Sequence, residues 1–189
     1  MNIAPSINKI DLKLRQARQD DIPALARLIE VSVRGLGGRD YNPQQIESAL
    51  KYIFGVDTRL IIEDGTYYVV EMDGYIVGAG GWSRRKTLYG GDQAKGEAED
   101  NLLDPHRDPA KIRAFYVHPD WARQGIGRQM MSACQAAASR AGFTRLELLA
   151  TLTGAPLYAA CGFKEVERVE VNLPDGVLLP TIKMTKTLC

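Results

Sequence analysis

A glycine-rich turn between a strand and a helix constrains the fold of this chain more than any other feature. The apolar run 112–117 is typical of a buried strand, and Gly125, Ile126 and Gly127 open an alanine-rich helix that Gly142 ends. Glycines let the backbone turn sharply there, and the first four N–H groups of a helix have no partner inside it. With the helix dipole, these groups form a site for a phosphate-sized anion. Taken alone, the turn is equally typical of a purely structural connection.

Two familiar nucleotide-binding motifs do not fit this turn. The dinucleotide pattern G-x-G-x-x-G requires a third glycine where the chain has Met130. A P-loop requires Gly-Lys-Ser/Thr at the start of the helix, and the sequence lacks it. The turn therefore calls for a different anionic ligand.

The remaining sequence predicts a mixed α/β domain with the element order β-α-α-β-β-β-α-β-α-β-β. Asp20 is expected to cap the first helix with Pro23 in its first turn, and Asn42 to start the second, which Gly55 ends. Strands are expected at 12–17, 66–72, 75–82, 112–117, 146–149, 166–173 and 178–188, and further helices at 125–142 and 155–160. Three more features are a looser stretch at 35–38, a bulge or close backbone approach near Gly78, Gly80 and Gly81, and a long polar insertion at 84–109.

Composition excludes several classes of protein. The 189 residues suit one domain, and 24 basic against 23 acidic residues argue against nucleic-acid binding. No apolar run reaches the ~20 residues that span a membrane, and residues 1–14 lack a signal-peptide pattern, so a cytoplasmic protein is expected. Cys134, Cys161 and Cys189 predict neither zinc nor a disulfide framework. Cys134 is interpreted as a buried apolar residue and Cys161 as a packing residue.

Four segments in order resemble the GNAT family of acyl-CoA-dependent N-acetyltransferases. They are AFYVHP at 114–119, QGIG at 124–127, LYAACGF at 157–163 and IKMTK at 182–186. The resemblance covers nearly the whole chain and implies one domain, residues 1–189. The implied fold is α/β, with a mixed, mostly antiparallel central sheet flanked by helices. Ala122 departs from the family's Gln or Arg at the first position of the pyrophosphate loop, so one side-chain contact there is missing.

The resemblance also implies a set of site residues for acetyl-CoA. Backbone groups of Phe115 and Val117 would pair with the pantetheine arm, and the Val117 amide would polarise the thioester carbonyl. Tyr158 would protonate the departing thiolate, an interpretation that the motif context favours over the alternative of a core tyrosine on a short amphipathic helix. The residues expected to hold the pyrophosphate are Arg123, Gln124, Gly125, Ile126, Gly127 and Arg128.

The implied activity is transfer of an acetyl group to a primary amine, on a small molecule or a peptide, without a metal. The alternatives are a non-catalytic CoA-binding or sensing domain and, if CoA does not bind, another nucleotide-binding protein. No carboxylate lies between Lys111 and His118, so the base is left open between His118 and solvent relay. The sequence does not separate acetyl from longer acyl groups and neither demands nor forbids a homodimer.

Acceptor contacts are expected from residues 32–34, from Tyr41, from residues 82–85, which include Trp82 and Arg84, and from the insertion at 84–109. Arginines such as Arg34 and Arg84 suit an acidic group on the acceptor. They equally suit a solvated face balanced by acidic residues of the insertion, namely Asp92, Glu97, Glu99 and Asp100.

Overall fold

The computed structural model describes residues 12–94 and 101–188. Within them, seven strands form one sheet: β1 (Lys13–Gln16), β2 (Tyr67–Met72), β3 (Tyr75–Ser83), β4 (Ala110–Val117), β5 (Arg145–Thr151), β6 (Lys164–Asn172) and β7 (Leu178–Thr187). The same residues form five α-helices: α1 (Ile22–Gly37), α2 (Pro43–Tyr52), α3 (Thr58–Ile62), α4 (Ile126–Arg140) and α5 (Ala155–Ala160). The strand order is β1-β2-β3-β4-β5-β7-β6. Only the β4–β5 pair among these strands is parallel, which confirms the mixed, mostly antiparallel sheet.

The starts of the first two helices show one wrong and one correct prediction. Asp20 does not cap α1, because a short 3-10 turn over Gln19–Asp21 places Asp21 at the helix start instead. The Asp21 carboxylate accepts from the Arg18 N–H at 2.7 Å and pairs with Arg15. At α2 the predicted capping box is confirmed, since Asn42 and Gln45 each accept a hydrogen bond from the other's backbone N–H.

Two helix ends differ from the sequence prediction, and one short helix was not predicted. The helix α1 continues to Gly37, where a looser stretch was expected, because Gly35 lets it lie directly against Pro119. A Cβ on Gly35 would come within 2.3 Å of Pro119 Cγ. The helix α2 ends at Tyr52 rather than at Gly55. The five-residue helix α3, which was not predicted, is too short to show a helical apolar period.

The sheet carries helices on both faces. Met130, Met131 and Cys134 of α4 are buried against one face. The prediction that Cys134 is a buried apolar residue is confirmed, and burial raises the pKa of its thiol. The helices α1 and α2 bury Leu25 and Ala49 on the other face, so this pair lies opposite α4.

The insertion is tied to the sheet by the buried side chain of Arg113. The described parts, 84–94 and 101–109, contain a 3-10 turn at Asp92–Ala94 and a bridge between Arg85 and Leu102. Arg113 of β4 pairs with Asp57 at 2.9 Å and donates to the carbonyls of Thr87 (2.9 Å) and Gly90 (2.5 Å). Glu97, Glu99 and Asp100, expected to balance the arginines, lie outside the described residues, as does Cys189.

Arg113→Met should destabilise the protein by about 3–5 kcal/mol, because it leaves the Asp57 carboxylate buried without its guanidinium partner. Both side chains are only 2% exposed. For a chain of this size each kcal/mol lowers Tm by roughly 2–4 °C, so thermal unfolding followed by circular dichroism measures the effect.

Arg168→Met is the matched control for this prediction. Arg168 pairs with Glu165 on the exposed surface of β6, so its loss should leave Tm nearly unchanged. Equal shifts in the two variants would mean that the buried pair contributes no more than a surface one.

Candidate active site

The sheet opens between its two parallel strands. β4 and β5 pair only at Ala110 with Leu146 and at Lys111 with Glu147, and they diverge beyond these pairs. At the last paired position, the Glu147 carboxylate accepts a hydrogen bond from the Lys111 ammonium at 2.9 Å. Its other oxygen lies 3.6 Å from the Lys183 ammonium of β7. This ion cluster closes the narrow end of the opening, and the free edge of β4 lies along one side of it.

A bulge shapes the edge of β4. Two of its residues, Ala114 and Phe115, stand opposite the single residue Gly80 of β3. Ala114 has a φ of +54°, and the Tyr67 hydroxyl donates to its carbonyl at 2.7 Å. The Phe115 ring lies where a Cβ on Gly80 would stand, 2.5 Å away. The predicted bulge or close backbone approach at the glycines of β3 is confirmed, and the strained residue is on β4.

The bulge is followed by two amides that face opposite sides of β4. The His118 N–H donates to Val77 of β3 at 2.9 Å. Because successive N–H groups of a strand point in opposite directions, the Val117 N–H faces away from β3, toward the opening. It donates there to the Ser32 hydroxyl of α1 at 3.2 Å.

The glycine turn presents backbone N–H groups at the start of α4. Gly125 has a φ of +86°, which favours glycine, and Arg123 has a φ of +65°. The first backbone hydrogen bond inside the helix runs from the Gln129 N–H to the Gly125 carbonyl at 3.0 Å. The N–H groups of Ile126, Gly127 and Arg128 therefore precede the bonded helix, as an anion site requires. The side chains of Arg123, Gln124 and Arg128 are exposed around the turn.

The turn touches the helix that carries Tyr158. Gly127 is buried, and a Cβ on it would come within 2.6 Å of a Leu157 methyl of α5. The absence of a side chain at Gly127 thus lets α5 lie against the start of α4. This contact brings the predicted anion site and the predicted acid into one place.

Tyr158 lies beside the open strand. Its ring makes edge-to-face contacts with Phe115 at 6.0 Å and with Phe163 at 6.1 Å between centroids. The residue is 9% exposed, and burial raises the pKa of its phenol. The phenol therefore keeps its proton at neutral pH, which is the state that an acid needs. The structure brings together Phe115, Val117, the glycine turn and Tyr158.

Lys186 anchors α5 in a way that the sequence did not predict. Its ammonium donates to the Cys161 carbonyl at the end of α5 (2.7 Å) and to Gln135 of α4 (3.1 Å). Nothing in the local pattern of β7 signals this role, because the partners are 25 and 51 residues away. Burial raises the pKa of the Cys161 thiol, which disfavours the thiolate and agrees with a packing role.

His118 caps a short turn. Its Nδ1 accepts from the Asp120 N–H at 3.3 Å and so starts the 3-10 turn Pro119–Trp121. One ring nitrogen is thereby used by the loop. Ala122 ends the same turn, with its N–H on the Pro119 carbonyl.

Four of the predicted acceptor residues, Arg34, Tyr41, Trp82 and Arg84, lie in different surroundings. Arg34 lines a groove of about 380 Å³ between α1 and α2 and pairs there with Glu30 and Glu47. Within residues 12–94 and 101–188, these two glutamates are its ion-pair partners. Tyr41 is buried, donates to the Pro180 carbonyl at 2.7 Å and accepts from the Leu152 N–H at 2.8 Å. Burial raises the pKa of Tyr41 to about 12.

The other two predicted acceptor residues lie apart from this groove. Trp82 is 4% exposed and packs edge-to-face on Phe143 in the core under α4. It is therefore a core residue and does not belong to the acceptor site proposed below. Arg84 is exposed, and its carbonyl accepts from the Leu103 N–H at 2.7 Å at the base of the insertion.

Comparison with known proteins agrees with this architecture. The family model of the acetyltransferase (GNAT) domain matches residues 63–165, more than half of the chain. A GCN5-related N-acetyltransferase from Rhodopseudomonas palustris has a TM-score of 0.69 at 22% identity, over 95% of this chain and 98% of its own. The putative acetyltransferase YncA from Salmonella typhimurium, solved with acetyl-CoA, has a TM-score of 0.61 at 18% identity, over 94% of each chain. The PaiA N-acetyltransferase from Thermoplasma acidophilum, solved with coenzyme A, has a TM-score of 0.61 at 12% identity, over 94% of this chain and 99% of its own.

The fold, in which the two parallel strands separate after two paired positions, is therefore that of the GNAT acetyltransferase domain. The chain belongs to the GNAT acetyltransferase family. A comparison with curated proteins gave no significant match. Among residues 12–94 and 101–188, no helix is long and apolar enough to cross a membrane. The same residues contain no group of three or more His, Cys, Asp or Glu side chains arranged to hold a metal ion.

Proposed function

We propose that this protein transfers an acetyl group from acetyl-CoA to a primary amine, by direct attack of the amine within a ternary complex. The observation that carries the proposal is the opening between β4 and β5, with the glycine turn of α4 and Tyr158 beside it. The two structural relatives solved with coenzyme A or acetyl-CoA support the choice of donor.

The donor would be held largely by backbone groups. The pantetheine arm would pair with Phe115 and Val117 along the free edge of β4, as an added strand does. The pyrophosphate would accept hydrogen bonds from the amides at the start of α4, with added charge from Arg123 and Arg128. The open space around Gly125, where a Cβ would meet no atom within 4 Å, fits a bulky anion.

The chemistry then requires one attack and three proton movements. The amine nitrogen forms a bond to the thioester carbonyl carbon while the carbon–sulfur bond breaks. The departing thiolate takes the Tyr158 proton, the amine releases a proton to solvent, and the phenolate regains one from solvent. The Val117 amide lies on the side of β4 that would face the thioester carbonyl, where charge develops.

The acceptor would reach this centre from the groove between α1 and α2. Phe54, which lines the groove, contacts Tyr116 of β4 edge-to-face at 6.4 Å. Glu30 and Glu47 lie at its rim, and the Arg34 guanidinium lowers the pKa of Glu47. The groove is lined by these two carboxylates together with Arg34 and Lys51. It would admit a primary amine, on a small molecule or a peptide, and an amine that arrives as an ammonium ion would first lose a proton to solvent.

Acetyl-CoA and CoA should each raise Tm by several degrees, whereas NAD and ATP should not. A ligand at ~100 times its Kd stabilises a protein by about 2.7 kcal/mol. Each kcal/mol moves the Tm of a chain of this size by roughly 2–4 °C. Differential scanning fluorimetry measures the shift, and a panel of primary amines then tests acceleration of thiol release. A shift without any amine-dependent release would favour a non-catalytic CoA-binding domain, and no shift would remove the proposal.

A further inference from the structure

Ser32 lies in the second half of α1, at the open edge of β4. Its side chain is buried, with 5% of the residue exposed. Its hydroxyl oxygen accepts from the Val117 N–H at 3.2 Å, across 85 positions of the chain. This is the amide that faces the opening, so the hydroxyl lies where the thioester carbonyl would approach.

The position of Ser32 is fixed by close packing one turn further along α1. Gly35 lies against Pro119, which follows β4 directly, and a Cβ at that position would overlap Pro119 Cγ at 2.3 Å. Glycine inside a helix costs about 1 kcal/mol relative to alanine, so the contact comes at the expense of helix stability. The close packing of α1 against the end of β4 therefore holds the Ser32 hydroxyl beside the Val117 amide.

The hydroxyl has a proton to donate. A serine hydroxyl carries one donor and two acceptor positions, and here the oxygen serves as acceptor for Val117. Within residues 12–94 and 101–188, this is the one hydrogen bond recorded for the Ser32 side chain. The hydroxyl proton is therefore left to donate to a further partner. A buried donor beside the reaction centre therefore indicates a ligand atom as its partner.

We propose that Ser32 is a further catalytic residue, which donates a hydrogen bond to the thioester oxygen of the acetyl donor. The inference rests on the function proposed above. The Val117 amide orients the hydroxyl and increases its polarity, because a hydroxyl that accepts a hydrogen bond becomes a stronger donor. Because the single Val117 N–H is held by the Ser32 oxygen, the hydroxyl takes the place of a direct contact between this amide and the thioester carbonyl, and it polarises the carbonyl as the amine attacks. No covalent bond to Ser32 forms.

Ser32→Ala should lower kcat on the order of 100-fold, as the loss of one oxyanion donor does. CoA lacks the acetyl carbonyl, so its affinity should be unchanged, whereas acetyl-CoA should bind about fivefold more weakly. Ser32→Thr keeps the hydroxyl and should retain activity. Ser32→Cys keeps the volume with a weak donor and should resemble Ser32→Ala, which covers the case of an unstable alanine variant.

Ser48→Ala provides the matched control. Ser48 is a buried serine of the neighbouring α2, and its hydroxyl donates to Asp175, so its loss should leave kcat unchanged. An unchanged kcat in Ser32→Ala, or equal losses of CoA and acetyl-CoA affinity, would overturn the inference and leave Ser32 a structural residue. If the wild-type protein binds acetyl-CoA but no primary amine accelerates thiol release, the proposed function fails first, and this inference fails with it.

Discussion

Gly127→Glu should weaken acetyl-CoA binding at least ~100-fold, because it places a carboxylate among the amides proposed to hold the pyrophosphate. Gly127 is the second residue of α4, where the helix dipole and the free N–H groups favour an anionic ligand. An internal carboxylate there competes for the same groups and repels the ligand. Isothermal titration with acetyl-CoA measures the loss, and CoA should lose affinity equally because the acetyl group takes no part.

Two further variants separate charge from crowding. Gly127→Ala adds a methyl group that presses on Leu157 without adding charge, so it should lose far less affinity than the glutamate variant. Gly38→Glu adds the same side chain at a helix end where a Cβ meets no atom within 4 Å, and it should bind normally. Normal acetyl-CoA affinity in Gly127→Glu would show that the donor site lies elsewhere. Equal losses with alanine and glutamate would assign the effect to displacement of α5.

The parts of the site that the sequence predicted are local. The glycine turn is contained in residues 123–128, and its backbone conformation follows from the residues themselves, above all from Gly125 at a positive φ. The bulge was signalled by the glycines of β3, because a strand with missing side chains accommodates a ring such as that of Phe115. The glycine turn depends on neighbours in the chain, and the bulge depends on the adjacent strand. Features of this kind leave a pattern in the sequence.

The parts that the sequence did not predict depend on distant packing. The contact between Ser32 and Val117 requires α1 to cross the end of β4, and no periodicity in either segment encodes that crossing. Arg34 pairs with Glu30 at the recognisable spacing of four residues, but also with Glu47 on another helix. Its environment was therefore predicted only in general form, as a choice between an acceptor contact and a balanced surface. In the structure Arg34 is paired with both glutamates, and all three residues line the groove between α1 and α2.

Burial separated the acceptor candidates in a similar way. Tyr41 and Trp82 were both expected to contact the acceptor, but the position of a ring relative to the sheet depends on the whole fold. Tyr41 uses its hydroxyl to join Leu152 at the end of β5 to Pro180 of β7. That role supports the opening from the side of β5 without requiring contact with a substrate.

Tyr158→Phe should lower kcat by ~100-fold or more while leaving the affinity for acetyl-CoA unchanged, as expected for loss of a general acid. Phenylalanine keeps the ring between Phe115 and Phe163, so the packing of α5 is preserved. Burial raises the pKa of the phenol, so wild-type Tyr158 stays protonated throughout the neutral range. Steady-state rates with an acceptor found in the amine screen, together with titration of acetyl-CoA, give both quantities.

The dependence on the leaving group decides between an acid and a packing residue. A selenium analogue of acetyl-CoA releases a more acidic group, which needs less protonation, so the deficit of Tyr158→Phe should shrink with this donor. A packing defect would reduce the rate equally with both donors, because the ring contacts are the same. Tyr75→Phe is the matched control, since Tyr75 is 74% exposed on β3 and should leave the rate unchanged with either donor. An undiminished kcat in Tyr158→Phe would instead assign thiolate protonation to solvent and leave Tyr158 as the ring that holds α5 against the open strand.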